Sequence, residues 1–288
     1  MLALDLNSQN ELEEILTADE IQSAQHIVTT HIAEIWKIER ADGAAAAVKL
    51  YHRHDLEDEA PGIVWMRTLD GRDAAKVYAL QNRVLVLEWL EGPTLGDQSR
   101  AGDDAAANRR LAALAAKIHA NLTPPPTGLH DLEAWFQDLL NLQFGSDCPD
   151  RLKENIKQAR ELVKSLLQTT TRRVALHGDF HHDNVICTPN GDRAIDAKGI
   201  LGDPGYELAN AFRNPQGARE QIMKPQRVLH LADLAEEFLD VPAPRQIAWA
   251  AAKCALSIAW DCDGKLDCDN SDAEVLEMLL SLSHGILT

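Results

Sequence analysis

Leu176-His177-Gly178-Asp179-Phe180-His181-His182-Asp183-Asn184, followed after a short hairpin by Ala194-Ile195-Asp196, is the stretch on which the fold of this chain turns. It sets two acids, an amide and three imidazoles between the apolar runs Val174-Ala175-Leu176 and Val185-Ile186-Cys187. Strand, polar loop and strand therefore follow one another without a helix. An unpaired carboxylate taken out of water costs several kcal/mol or shifts its pKa until it neutralises. Something cationic must meet these acids.

Upstream of this stretch the period is that of strands. His26 to Thr30, Ile32 to Ile38 and Ala44 to Leu50 are β-rich, the last two joined by the turn Ala41-Asp42-Gly43. Ala74 to Leu80 and Arg83 to Leu90 read as two more strands, and Asp55 to Leu69 as an inserted helix interrupted near its start by Pro61 and Gly62. A further amphipathic helix is expected over Glu11 to Gln25. Glu91-Gly92-Pro93 closes this part. From Asp103 onward Leu111, Leu114, Ala115, Ile118 and Leu122 repeat on one helical face, and Pro124-Pro125-Pro126 ends the run. Leu129 to Leu142, Pro149 to Leu167 and, after the hairpin, 205–213, 225–239, 243–260 and 271–285 are expected as helices. The fold class is α+β, with a β-rich lobe over 1–90, a larger helical lobe over 91–288, and a cleft between them.

Composition narrows the partners. Twenty-eight basic against 45 acidic residues give a net charge of −17, which opposes a nucleic-acid backbone; such acidity would attract a cationic ligand, though taken alone it reads as serving solubility. No apolar run approaches the roughly 20 residues of a membrane span. Met1 to Glu14 has no basic start and no apolar core, so a cytoplasmic location is the expectation. Cys148, Cys187, Cys254, Cys262 and Cys268 form no CxxC pair and read as reduced packing residues.

Phosphoryl transfer requires a lysine on the phosphates, Asp and Asn oxygens for a metal ion, and a base beside the acceptor hydroxyl. Lys49 ends the apolar strand Ala45-Ala46-Ala47-Val48-Lys49. Asp179, Asn184 five residues later, and Asp196 beyond the hairpin supply the rest. Each acid taken alone reads as a turn or cap residue, but the ordered set is hard to obtain by accident.

These motifs, the second running on as Ala194-Ile195-Asp196-Ala197-Lys198-Gly199, with Gly202-Asp203-Pro204-Gly205-Tyr206-Glu207-Leu208-Ala209-Asn210 and Arg213-Asn214-Pro215, resemble the aminoglycoside phosphotransferases of the protein-kinase-like fold. The closer similarity is to the streptomycin 6-kinase and hydroxyurea resistance kinase branch. The resemblance implies a two-lobed fold, with an antiparallel sheet in the first lobe and a mainly helical second lobe, and an ATP- and Mg²⁺-dependent kinase of a small-molecule hydroxyl. It makes Asp179 the catalytic base and Asn184 and Asp196 the metal ligands. Lys49 would hold the α/β-phosphates and pair with Glu59, Glu57 being the competing partner, and the backbones of Glu88 and Leu90 would hold adenine. The implied partner is a cationic small molecule, an aminoglycoside of the streptomycin type in the first place, with a housekeeping kinase for a sugar, amino alcohol or hydroxyurea-like metabolite as the alternative; no nucleic acid or membrane is implied, and the chain is expected as a monomer or weak dimer.

Departures accompany the resemblance. No GxGxxG precedes Lys49, so the turn over the phosphates is Thr29-Thr30-His31-Ile32, without the usual glycines. Ala197 and Glu207 stand where relatives of this branch commonly show Pro and Asp. A transition-metal site built from His177, His181 and His182 is the rival chemistry; otherwise His177 and His181 support the loop. Asp203 is expected to brace the loop with Tyr206 and to cap the helix near Gly205. For a cationic acceptor the candidates are Trp135, Asp138, Trp260, Asp261 and Asp263.

Overall fold

The computed structural model describes residues 21–53, 56, 59–262 and 264–284. Strands β1 (Ile21–Thr29), β2 (Ala33–Arg40), β3 (Ala45–Tyr51), β4 (Val77–Gln81) and β5 (Val84–Glu88) pair antiparallel in the order β1-β2-β3-β5-β4. Period-two alternation gives the sheet two apolar faces. Trp36, Ile38, Ala46, Val48, Leu50, Val84 and Val86 form a small core on one face. Tyr51 and Leu85 alternate to the other, where they join the main core with Ile63, Trp65 and Met66 of helix α1 (Ala60–Leu69). Lys49 lies between Val48 and Leu50 of the first core, so its side chain leaves the sheet on the α1 side.

The remainder is mainly helical: α2 (Leu95–Arg100), α3 (Asp104–Asn121), α4 (Asp150–Gln168), α5 (Pro225–Leu239), α6 (Ala243–Trp260) and α7 (Ala273–His284). Every residue of α6 from Gln246 to Ala259 is buried, and its alanines let α4, α5 and α7 pack closely around it. The small antiparallel sheet followed by a larger helical part is the arrangement read from the sequence. No helix of the described residues is long and apolar enough to cross a membrane.

Several boundaries differ from expectation for local physical reasons. The expected helix over Glu11 to Gln25 lies outside the described residues up to position 20, and Ile21 to Gln25 are already β1. Helix α1 begins at Ala60, after the non-helical Leu56 and Glu59, while the expected start at Asp55 lies outside the described residues; Pro61 sits in its first turn, where a missing N–H leaves no bond unmade. Gly62 is a docking point: a Cβ there would stand 1.8 Å from the Ala197 carbonyl oxygen. Strand β4 begins at Val77 because the Ala75 N–H bonds instead to the Ala194 carbonyl, 2.9 Å across the lobes. The expected helix over 129–142 is divided. His130–Asp131 pairs in parallel with Ile200–Leu201, and helical turns Leu132–Trp135 and Gln137–Asn141 flank Phe136. The expected helix over 205–213 is two 3-10 turns, Pro204–Tyr206 and Ala209–Arg213.

Candidate active site

The strand Val174–Leu176, paired antiparallel with Ile200–Gly202, delivers the chain to the join of the lobes. Gly178 then turns with φ of +86°, where a Cβ would meet the Ile200 side chain at 2.7 Å. The 3-10 turn His182–Asn184 follows, and the hairpin of Val185–Thr188 with Gly191–Ala194 brings Asp196 back beside it. Asp196 itself adopts φ of +59°, unusual for a residue with a side chain.

The three histidines are held separately. His177 is buried, with Nε2 donating to the Ile195 carbonyl at 2.8 Å and Nδ1 accepting the Asp179 N–H at 3.3 Å. Trp65 and Phe180 flank its ring, both at 5.2 Å, and desolvation by burial lowers its pKa. His181 Nδ1 accepts the Asp183 N–H at 3.3 Å, and its Nε2 faces Asp179 at 3.8 Å. His182 bonds to Asn108 through Nε2 at 2.7 Å. Among the described residues no three His, Cys, Asp or Glu side chains gather into a group able to hold a metal ion. The rival metal site therefore lacks a ligand set there.

Asp179 Oδ1 accepts from Asn210 Nδ2 at 2.7 Å, and Asn184 Nδ2 donates to the Asp179 carbonyl at 2.9 Å. Burial alone would raise the Asp179 pKa. The facing His181 and the positive charge of Lys253 outweigh it and hold the carboxylate well below its usual range. With its amide nitrogen spent on Asp179, Asn184 keeps its oxygen uncommitted among the described residues. Lys49 Nζ lies 2.7 Å from Asp196 Oδ1 and 3.4 Å from Glu59 Oε2. Burial draws its pKa down, but Asp196 and Glu59 more than offset this, so it stays charged. Glu57 lies outside the described residues.

Lys49, Glu59, Asp179, Asn184 and Asp196 line one cleft of about 680 Å³. Thr30, Glu88 and Leu90 line it too, with an apolar wall that includes Val28, Ala47, Leu85 and Leu87. Thr30 Oγ1 donates to the Ala33 carbonyl at 3.0 Å and so closes the turn above the cleft. The Glu88 N–H is spent on the Lys76 carbonyl at 2.8 Å.

Buried Asp203 accepts from Gly205 N–H at 2.9 Å and so caps the turn there. Its other oxygen is held by Arg245 at 2.6 Å and Thr170 at 3.1 Å. The carboxylate that grips the loop bearing Asp179 is Glu207, which accepts the His177 N–H at 3.0 Å. Tyr206 accepts from Trp135 Nε1 at 3.1 Å.

A second pocket, of about 380 Å³, is walled by Trp135, Asp138 and Trp260 together with Glu59, His130, Ala134 and Lys198. The two indoles meet edge to face at 5.5 Å, and Trp260 Nε1 donates to Asp138 at 3.0 Å. Asp261 is outside this wall, accepting from Asn270 at 3.2 Å. Asp263 lies outside the described residues.

Sequence reasoning gave no role to Asn210, Lys198, Glu207 or Lys253. The first three stand inside the quoted motifs. Lys253 announced itself only as one cation in the apolar run Ala250-Ala251-Ala252-Lys253-Cys254-Ala255. It is buried, its Nζ 4.2 Å from the Trp260 ring centroid, and desolvation pulls its pKa down to about 8.

A sheet bearing a buried lysine, set across a cleft from an Asp, an Asn and a second Asp on a strand-flanked loop, carries the parts phosphoryl transfer requires, and the relatives make the chain a small-molecule kinase, a phosphotransferase with an alcohol acceptor. Residues 19–264 match the family model described as aminoglycoside/hydroxyurea antibiotic resistance kinase, and the chain belongs to that family. It is 31% identical over 241 residues to streptomycin 3''-kinase of Klebsiella pneumoniae, covering 81% of this chain and 86% of the relative. Streptomycin 6-kinase of Streptomyces griseus is 26% identical over 233 residues, covering 79% and 74%. The structure of amicoumacin kinase hAmiN in complex with AMP-PNP, Ca²⁺ and Ami superposes with a TM-score of 0.65, covering 97% of this chain and 94% of that one. At 13% identity it attests the fold alone.

Proposed function

We propose that the chain transfers the γ-phosphoryl group of ATP, with Mg²⁺, to a hydroxyl of a cationic aminoglycoside of the streptomycin type. The observation that carries this reading is the adjacency of the two cavities. Lys49, Asp179, Asn184 and Asp196 line one, and two indoles with a carboxylate line the other. Carboxylate and aromatic faces suit guanidinium and ammonium groups, and the net charge of −17 adds to that attraction.

Each residue has a task in this mechanism. The apolar wall and the backbone at Glu88 and Leu90 receive adenine, the turn at Thr30 covers the phosphates, and Lys49 neutralises the α/β-phosphates. Glu59 keeps Lys49 in place. Asn184 and Asp196 offer the oxygen donors a hard cation prefers, and Mg²⁺ bound there supplies charge neutralisation to the phosphates. Asp179, oriented by Asn210, aligns the acceptor hydroxyl and takes its proton as the oxygen–phosphorus bond forms. The transition state is loose, so the proton leaves late and a weakly basic carboxylate is sufficient.

The test is transfer of label from [γ-³²P]ATP to streptomycin, with other aminoglycosides, hydroxyurea, choline and sugars in parallel. Labelled streptomycin is expected, with Asp138→Asn raising its KM about tenfold and leaving that of ATP unchanged. Label on another compound with none on streptomycin would reassign the acceptor.

A further inference from the structure

The two cavities meet at one ion pair. Among the described residues they share only Glu59 and Lys198, whose Oε1 and Nζ lie 3.0 Å apart. Asp179 borders the larger cavity, so an acceptor seated in the smaller one reaches that carboxylate past this ion pair, and the phosphoryl group is handed over beside it. Lys49 borders the larger cavity only. In the reading above it holds the phosphates that remain with the nucleotide, and the lysine that borders both cavities is Lys198.

Lys198 is fixed at its root by the backbone and, among the ion pairs of the described residues, held at its tip by Glu59 alone. Its backbone N–H donates to the His177 carbonyl at 2.7 Å, and the Gly199 N–H reaches the same oxygen at 3.2 Å. A Cβ added at Gly178 would stand 3.1 Å from the Lys198 Cβ, so the loop bearing Asp179 packs against the base of this side chain. Asp196 precedes it by two residues. Beyond that root the ammonium rides on a flexible four-carbon stem.

We propose that Lys198 is a catalytic residue: its ammonium leaves Glu59 to contact the phosphoryl group in flight, offsetting charge on the equatorial oxygens. The inference rests on the phosphotransferase reading above. In the step, the bond from the γ-phosphorus to the β–γ bridging oxygen breaks and the bond to the acceptor oxygen forms. The acceptor proton passes to Asp179, and ADP departs with the electron pair of the broken bond. Lys198 neither gains nor loses a proton. A cation aimed at charge that develops only in the transition state raises kcat rather than ground-state affinity.

The experiment uses the full chain with streptomycin and, separately, with no added acceptor, following label from [γ-³²P]ATP into streptomycin or inorganic phosphate. Lys198→Met is expected to lower kcat by about 10²- to 10³-fold, while the Kd of Mg·ADP moves by less than about threefold. Lys198→Arg should recover at least about tenfold of that loss. If Lys198 only braces Glu59, then Glu59→Gln matches Lys198→Met and the double variant is no worse than either; that result overturns the proposal. So does a Lys198→Met enzyme that keeps wild-type kcat, or one whose loss lies wholly in Mg·ADP affinity. Should Lys198→Met fail to fold, Lys198→Gln against Lys198→Arg makes the same comparison, with the loss expected in the glutamine variant alone. A wild-type chain that transfers label to none of streptomycin, the other acceptors named above and water overturns the phosphotransferase reading itself. Active wild type with an unaffected variant overturns only the role of Lys198.

Discussion

Lys49 Nζ is closer to Asp196, at 2.7 Å, than to Glu59, at 3.4 Å. The pair joins the sheet lobe to the helical lobe across the cleft. In the mechanism we propose, a phosphate chain with its metal ion divides the two, the lysine going to the phosphates and the carboxylate to the metal. Asp196→Ala is therefore expected to reduce turnover by roughly three orders of magnitude. It should also abolish the part of ADP-induced thermal stabilisation that depends on Mg²⁺. Melting curves with ADP, with and without Mg²⁺, read this directly. Equal Mg²⁺ dependence in the variant and the wild type would remove Asp196 from the metal site.

Asp179 owes its position to Asn210, whose Nδ2 donates at 2.7 Å. Hydrogen bonds to charged groups contribute about 1.5–3 kcal/mol. Asn210→Ala should accordingly lower kcat roughly 10- to 100-fold with the KM of ATP unchanged. The Asp179 pKa is depressed, so wild-type kcat/KM should show no inflection from this carboxylate above pH 4 or so. The variant removes a donor to the charged form, so its acid limb should move to higher pH. A pH–rate profile of both enzymes decides; identical acid limbs would mean that Asn210 does not tune the base.

The loop from His177 to Asn184 was legible in the sequence because its residue types conflict with their apolar flanks, and that conflict has few solutions. The sheet was legible because its alternation is regular. Helix α1 was misplaced at its start because Pro61 and Gly62 are punctuation in a sequence but packing in the fold. Gly62 is small so that the Ala197 carbonyl can reach it. Trp135, Asp138 and Trp260, scattered over 126 positions, meet in one pocket for a reason no local pattern encodes. The helical turn of Leu132–Trp135 follows a parallel pairing of His130–Asp131 with the strand after the catalytic loop. Lys198 and Asn210 were visible as letters in motifs, but their partners, Glu59 and Asp179, are 139 and 31 residues away. Such pairings belong to tertiary structure.

Lys253 yields the last prediction, since a buried ammonium records its environment in the pH dependence of stability. Its side chain is 3% exposed, and the ammonium has the Ser257 hydroxyl at 3.3 Å and the Trp260 ring for neighbours, with the charge of Asp179 acting on it. Burial, the largest influence, brings its pKa from 10.5 to about 8. Below pH 8 both folded and unfolded chains hold this proton, and the folded chain bears the cost of a desolvated charge. Between pH 8 and 10.5 the folded chain sheds the proton while the unfolded chain keeps it, so stability rises with pH, by on the order of 3 kcal/mol across the window. Lys253→Met removes the charge at nearly constant volume. It should raise stability at pH 7, as apolar replacements of buried charges often do, and flatten the slope above pH 8. Because Lys253 also helps hold Asp179 ionised, the same variant should shift the acid limb of kcat/KM upward. Urea unfolding at pH 7, 8, 9 and 10 for both proteins measures the difference, which cancels the tyrosines and cysteines that titrate in the same range. If the wild type and Lys253→Met curves run parallel over those pH values, the lysine is not held as a strained cation and its influence on Asp179 falls with it.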